Sequence, residues 1–404
     1  MADIAASPVH ELGADFFADP YAAYRRWRAS GPVHRVRFPD GTIRWVVIGY
    51  AEVRAAFVDP RLGKDITAIN ALVLAERGTP LMDPQSAALL GNMLNMDPPG
   101  HTRLRALITA AFTPRRVAAL RPAITALAQD LVAALDPYAE TDLLAAYAEP
   151  LPIAVICALL GVPAPDRDDF RAWTRAMVAV AGREQERAAA AGAMAAYLAD
   201  LVREKAVRPG EDLLSGLVRA EADGDRLTPP ELVAMAFLLL VAGHETTVNL
   251  IANGLYALLG DPPALAALCA DPAGIPAAIE EFLRYDGPVN MATMRYAIEP
   301  LTLGGTEIPA GDLVYLAPAA ADRDPDRFPD PDRLDLSREP TGHLAFGHGI
   351  HFCVGAPLAR LEAEIAFTTL LARFPDMRLA GTRAPGRQAS TLIRGLDTLP
   401  VRLR

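Results

Sequence analysis

From Thr102 to about Leu259, apolar residues recur three and four positions apart through Ala-, Leu- and Arg-rich segments, with breaks at Pro114, Pro122, Gly161-Val162-Pro163 and Gly210. That period predicts a layer of helices. The longest starts at Thr228-Pro229-Pro230-Glu231, a capping-box pattern with prolines in the first turn, where a missing N–H costs nothing. Nothing stops it before Gly260-Asp261-Pro262. One helix from Pro229 to about Leu259 is therefore expected, roughly 46 Å long at ~1.5 Å per residue. An element of that length crosses the whole molecule and has to run through the core.

Other segments carry a strand pattern. Val33–Phe38 and Ile43–Ile48 are β-rich and separated by Pro39-Asp40-Gly41-Thr42, a hairpin signal that puts a small sheet at about residues 31–50. After Asp286 the pattern shifts to strands and turns: Thr293–Ile298, Leu301–Leu303, Leu313–Leu316, Leu392–Arg394 and Pro400–Leu403. The helical layer thus spans about 102–286 and a mixed region about 287–404, a mainly helical α+β arrangement. The Asp322-to-Leu336 segment reads as an ordered, turn-rich meander that buries Phe328 and Leu334. With no Ser/Gly-rich linker, long charge run or internal repeat, residues 1–404 are expected to form a single domain.

Composition narrows the function classes. The chain is 51% hydrophobic and 22% charged, enough to bury a large core. A formal net charge of −10 argues against nucleic acid or an anionic membrane surface as the main partner. The longest apolar stretch, Leu232 to Gly243, falls short of the ~20 residues that span a bilayer, and MADIAASPVH has no signal-peptide pattern, so no membrane anchor is expected. Cys157, Cys269 and Cys353 are scattered and odd in number, which fits a reducing cytoplasm. Of 39 basic residues only Lys64 and Lys205 are lysine.

The densest unusual segment is Phe346-Gly347-His348-Gly349-Ile350-His351-Phe352-Cys353-Val354-Gly355-Ala356-Pro357. Glycines around one cysteine let backbone approach a planar group and aim N–H groups at the sulfur. Pro357 suits the first turn of the following helix. Cys353 then precedes a helix N-terminus, where the macrodipole favours a thiolate, and a lone thiolate among donors suits an axial iron ligand. A cysteine in a glycine turn can equally be a small buried hydrophobe. Gly243, Thr246 and Thr247 are poor helix formers inside the long helix. Clearance over a cofactor is one reason for them, and a threonine bonding back to its i−4 carbonyl is another. Glu281 and Arg284, three apart, share a helical face.

The pattern F-G-x-G-x-H-x-C-x-G resembles the haem-ligand loop of the cytochrome P450 monooxygenases. Three further motifs follow that family's order: Ala242-Gly243-His244-Glu245-Thr246-Thr247 resembles its central-helix pattern, Glu281-Phe282-Leu283-Arg284 its E-x-x-R, and Ala321-Asp322-Arg323-Asp324-Pro325 its meander. The style is closest to bacterial members that tailor macrolides and other polyketides, with Val354 standing where leucine is frequent.

The resemblance implies haem b, with Cys353 as the axial iron ligand and dioxygen as co-substrate. It implies an acid–alcohol pair, Glu245 and Thr246, for proton delivery, and a structural ion pair, Glu281–Arg284. His101, Arg105, Arg295 and His351 match positions that hold the haem propionates, and Ala242, Gly243, Phe346, Gly347 and Gly355 complete the expected cofactor contacts. His343 and His348 receive no role.

A small apolar substrate is expected against Ile66–Asn95, Phe170–Met194, Leu238–Val241, Val289–Met294 and Thr391–Ile393, specifically Leu94, Val241, Val289, Asn290, Met291 and Leu392. Met82, Met93, Met291 and Met294 offer an adaptable wall or simply fill the core. No G-x-G-x-x-G fingerprint or ferredoxin cysteine run occurs, so electrons are expected from a separate ferredoxin and ferredoxin reductase. Arg103, Arg115, Arg116 and Arg360 are docking candidates or ordinary solvated charges. The expected protein is a cytoplasmic monomer that hydroxylates or epoxidises a macrolide or polyketide. A sterol-, terpenoid- or fatty-acid-oxidising enzyme, a peroxide-driven peroxygenase, a nitric-oxide-reducing enzyme and a non-catalytic haem carrier or sensor remain alternatives.

Overall fold

The Glu231 carboxylate accepts the Thr228 backbone N–H at 2.8 Å, and from that cap one helix runs from Pro229 to Leu259. It is the axis of the computed structural model, which describes residues 8–178, 184–220, 225–339 and 342–404. Helices Pro150–Leu160, Glu184–Val207, Ile275–Asp286 and Ala356–Arg373 pack around it. Leu238, Leu240, Leu250, Ile251, Leu255 and Leu258 bury into the main core from its several sides, as a helix apolar all round must. The continuous helix is longer than the apolar run Leu232–Gly243 suggested, and with a mean hydropathy of 1.5 it is long and apolar enough to cross a bilayer. However, 72% of that apolar stretch is covered by the protein's own side chains, so it is a core helix.

The expected hairpin forms as Val33–Arg37 against Ile43–Val47, antiparallel, with Val33 opposite Val47 and Arg37 opposite Ile43. Gly41 turns it at φ 82°, and the Asp40 carboxylate accepts from the N–H and hydroxyl of Thr42. The hairpin is not a sheet of its own. It belongs to a six-stranded sheet ordered Val9–Glu11, Val33–Arg37, Ile43–Val47, Leu313–Leu316, Arg295–Ala297, Leu62–Gly63, which joins the first sixty residues to the last third of the chain. Leu301–Leu303 pairs with Thr306–Ile308, and Pro400–Arg402 lies between Arg378–Leu379 and Glu140–Asp142.

One expected strand is corrected. Leu392–Arg394 makes only an isolated bridge, Val289 to Ile393, with the Asn290 and Arg394 N–H groups donating to the carbonyls of Leu392 and Pro288 at 2.8 Å. This contact lays two of the proposed substrate-facing segments side by side. The Phe170–Met194 region forms parts of helices Arg167–Val178 and Glu184–Val207, while its residues 179–183 lie outside the described residues.

Candidate active site

The glycine loop is shaped by two residues that need a left-handed backbone. Gly347 and Gly349 have φ of 73° and 76°, values that side-chain-bearing residues rarely adopt. The chain then folds back so that the Cys353 N–H donates to the Phe346 carbonyl at 2.9 Å, and helix Ala356–Arg373 starts with Pro357 in its first turn. The backbone N–H groups of Gly355 and Ala356 bond toward the Cys353 sulfur, and the Arg105 and Arg360 guanidinium groups lie near enough to attract it. Cys353 presents accessible surface, yet protein mass surrounds the sulfur, and this burial pushes the thiol up despite those four favourable contacts. Burial thus opposes the helix N-terminus and the two guanidinium groups at this sulfur. A cation bound at the sulfur would deprotonate it outright.

Four residues expected to hold a cofactor come together from distant parts of the chain. His101 and Arg105 stand one turn apart on helix Gly100–Ala111, Arg295 opens its strand, and His351 precedes the cysteine. The His101 and His351 rings are 4.3 Å apart. Burial, followed by the neighbouring Lys64, His101, Arg295 and Arg105, holds the His351 imidazole down at about 2, and burial brings the Arg295 guanidinium to about 10.

Lys64 is a fifth member that sequence reasoning missed. It is 3% exposed, and its ammonium is held well below the usual lysine range by burial and by Arg295. The available signal was that it is one of only two lysines in the chain. The acid that acts on Lys64, His101 and Arg295 is Asp97, whose carboxylate also accepts the backbone N–H groups of Lys64 and Asp65. His101 Nε2 and Arg295 Nε are buried without a hydrogen-bond partner. The Arg105 and Arg295 charges with unused buried donors fit a ligand carrying carboxylates, and the exposed Cys353 beside them fits an iron ligand. The residues present thus fit a haem.

On the central helix, Ala242 is the one exposed residue between Glu231 and Leu259. Around it three side chains bond back to carbonyls four residues earlier: His244 Nδ1 to Leu240 at 2.7 Å, Thr246 Oγ1 to Ala242 at 2.9 Å, and Asn249 Nδ2 to Glu245 at 2.8 Å. The back-bonded threonine weighed from sequence is thus present. Because its proton goes to Ala242, the Thr246 oxygen has only lone pairs to offer a ligand. The Glu245 carboxylate lies 3.6 Å from His244 Nε2, with its side chain 15% exposed.

Gly243 packs against a neighbouring helix. A Cβ there would come within 2.8 Å of Ile156 Cδ1 on helix Pro150–Leu160, so its missing side chain serves helix packing, a reason that was not weighed from sequence.

Glu281 and Arg284 form a fully buried bidentate pair at 2.7 Å and 2.7 Å. Arg284 also donates to the carbonyls of Asp322, Pro331 and Arg333, and Glu281 accepts the Asp335 N–H, so the pair pins the meander. Two docking candidates are engaged elsewhere. Arg103 pairs with Asp225 and Glu231, and Arg360 makes a bidentate contact to Glu280 at 2.6 and 2.7 Å. His343 joins Arg360 on Glu280 at 3.0 Å. Arg115 and Arg116 are exposed on helix Pro114–Ala119.

Two expected substrate contacts are corrected as well. Asn290 accepts the Tyr24 hydroxyl at 2.9 Å, and Met291 is fully buried in the N-terminal aromatic cluster with Tyr24 and Trp27. Leu94 and Val241 are partly buried beside the main core, Val289 is half-buried and Leu392 is 39% exposed.

The family model "Cytochrome P450" matches residues 275–382. Cytochrome P450 monooxygenase PikC of Streptomyces venezuelae is 53% identical, over 99% of this chain and 95% of its own length. The 6-deoxyerythronolide B hydroxylase of Saccharopolyspora erythraea is 42% identical, over 98% of this chain and 99% of its own. The tirandamycin C-bound structure of the P450 monooxygenase TamI aligns with a TM-score of 0.92 at 47% identity, covering 98% of this chain and all of that one.

Proposed function

The chain belongs to the cytochrome P450 family, and on that premise we propose that it hydroxylates or epoxidises an apolar macrolide or polyketide with haem b held by Cys353. It has the cytochrome P450 fold and is a monooxygenase that uses haem iron and dioxygen, redox partners and a small organic substrate. The observation that carries the proposal is the meeting of the Cys353 sulfur with buried cations whose donors lack partners. The substrate class is supported by the 6-deoxyerythronolide B hydroxylase and the tirandamycin-bound enzyme among the relatives.

When bound, the haem would supply activation of dioxygen, with the chemistry belonging to the cofactor and the positioning to the protein. Cys353 would hold the iron, with the Gly355 and Ala356 N–H groups moderating the charge on its sulfur. His101, Arg105, Arg295 and His351 would hold the propionates. Thr246, its own proton given to the Ala242 carbonyl, would accept a hydrogen bond from a water and hold that proton in place. Glu245, next to it and partly exposed, would replace protons from the solvent side. Val241, Val289, Leu94 and Leu392 would present apolar surface to the substrate. The ferredoxin supply and the cytoplasmic, monomeric, single-domain state complete the proposal.

The test is spectroscopic. The reduced carbonyl complex is expected to show the strongly red-shifted band of thiolate ligation, and Cys353→Ala to abolish it; a histidine-type band in the wild type would overturn the site assignment. A spin-state titration should rank macrolides above sterols, terpenes and fatty acids, and the opposite ranking would overturn the substrate class.

A further inference from the structure

Lys64 stands in an environment that makes no sense for an isolated ammonium. It directly follows the strand Leu62–Gly63 and is 3% exposed. Its Nζ donates to Thr293 Oγ1 at 2.7 Å, the one side-chain acceptor in hydrogen-bond reach of it among the described residues. An ammonium carries three donors. The charges that act on it are Arg295, of like sign, and Asp97, while Lys64 in turn acts on His101 and His351. Lys64 Nζ makes no hydrogen bond to Asp97 among the described residues; that carboxylate accepts instead the Lys64 N–H at 3.0 and 2.9 Å and the Asp65 N–H at 3.1 Å. A buried, underpaired cation among like charges is costly, and it persists only where an anion offsets the cost.

We propose that Lys64 is a fifth member of the cofactor seat and that its ammonium pairs with a haem propionate on the Arg295 side. This rests on reading His101, Arg105, Arg295 and His351 as the propionate seat. Thr293 is then a positioning residue, its hydroxyl orienting Nζ from two residues before Arg295. The placement also ties the cofactor to the substrate-facing region. Lys64 adjoins Asp65, whose carboxylate caps helix Ile66–Arg77 by accepting the Thr67 and Ala68 N–H groups. A carboxylate held by Lys64 thereby fixes the start of the Ile66–Asn95 segment.

The test measures the rate at which holoenzyme loses haem to excess apomyoglobin, for wild type, Lys64→Met, Lys64→Arg and Arg295→Met. Lys64→Met is expected to lose haem on the order of tenfold faster, the change that follows from losing about 1.4 kcal/mol of attraction, and Lys64→Arg to restore most of the difference. The carbonyl band should stay red-shifted in all four. Reconstitution of wild type and Lys64→Met with haem dimethyl ester closes a double-mutant cycle, and the difference between them should vanish.

If Arg295→Met sheds haem faster but Lys64→Met matches wild type, Lys64 is not part of the seat. If the difference persists with the dimethyl ester, the effect is packing and the proposal fails. If neither variant changes haem loss, the seat reading itself falls. Should Lys64→Met not fold, Lys64→Gln replaces it under the same criteria.

Discussion

Whether Gly243 faces a cofactor or a neighbouring helix can be decided by adding one methyl group. In a helix interior, Gly→Ala by itself stabilises by about 1 kcal/mol. At Gly243 the new Cβ would lie 2.8 Å from Ile156 Cδ1 and 3.1 Å from Cγ1, and overpacking of this kind costs about 1–3 kcal/mol. The balance predicts that Gly243→Ala is destabilised by up to about 2 kcal/mol.

Ile156→Val deletes the atom at 2.8 Å and leaves only the milder contact. The double variant should therefore recover, with a favourable coupling of about 1 kcal/mol against the sum of the single changes. Urea unfolding of the four haem-loaded proteins gives the coupling, and the haem absorption of each reports on the cofactor face. The expected result is clear coupling with unchanged spectra. Additive effects within about 0.3–0.5 kcal/mol, together with an altered haem spectrum in Gly243→Ala, would refute the reasoning and return Gly243 to the cofactor.

Thr246→Ala removes the hydroxyl but not a helix former, so haem and substrate binding should persist while the share of electrons recovered as hydrogen peroxide rises several-fold; coupling equal to wild type would sink the role given to Thr246. Burial raises the Asp322 carboxyl to about 7. The folded chain therefore holds a proton that the unfolded chain releases between about pH 4 and 7, and stability falls as pH rises through that window. Asp322→Asn keeps an acceptor for the Leu344 N–H, now bonded at 2.7 Å to the carboxylate, so its thermal midpoint should match wild type near pH 5 and exceed it at pH 8. A pH-independent difference would refute this.

What the sequence disclosed and what it hid divide along physical lines. The bounds of the central helix were legible because the Thr228–Glu231 cap and the Gly260-Asp261-Pro262 stop are local signals. The hairpin at Gly41 was legible for the same reason. Cys353 stood out because its glycines are spaced along the chain itself. Facing was not legible. Asn290 and Met291 turn toward Tyr24 and Trp27, more than 260 residues away, and Gly243 lies against Ile156 of another helix. Arg103 and Arg360 looked like free charges because the acids that engage them come from other helices or loops. Lys64 escaped because a single buried lysine has no period and no motif, and its meaning appears only when residues 64, 101, 105, 295 and 351 converge.

The mixed sheet bears on the order in which the molecule can be made. Ile43–Val47 pairs in parallel with Leu313–Leu316, and at ~5–20 residues per second the intervening ~270 residues take on the order of tens of seconds to leave the ribosome. Throughout that time the early hairpin offers an unpaired edge, and of the proposed seat Lys64, His101 and Arg105 have been made but neither Arg295 nor His351. The proposed iron ligand Cys353 emerges only within the last fifty or so residues, which makes cofactor loading at the proposed site a late step of biosynthesis, after a long interval in which the nascent edge has to be kept from pairing with other chains.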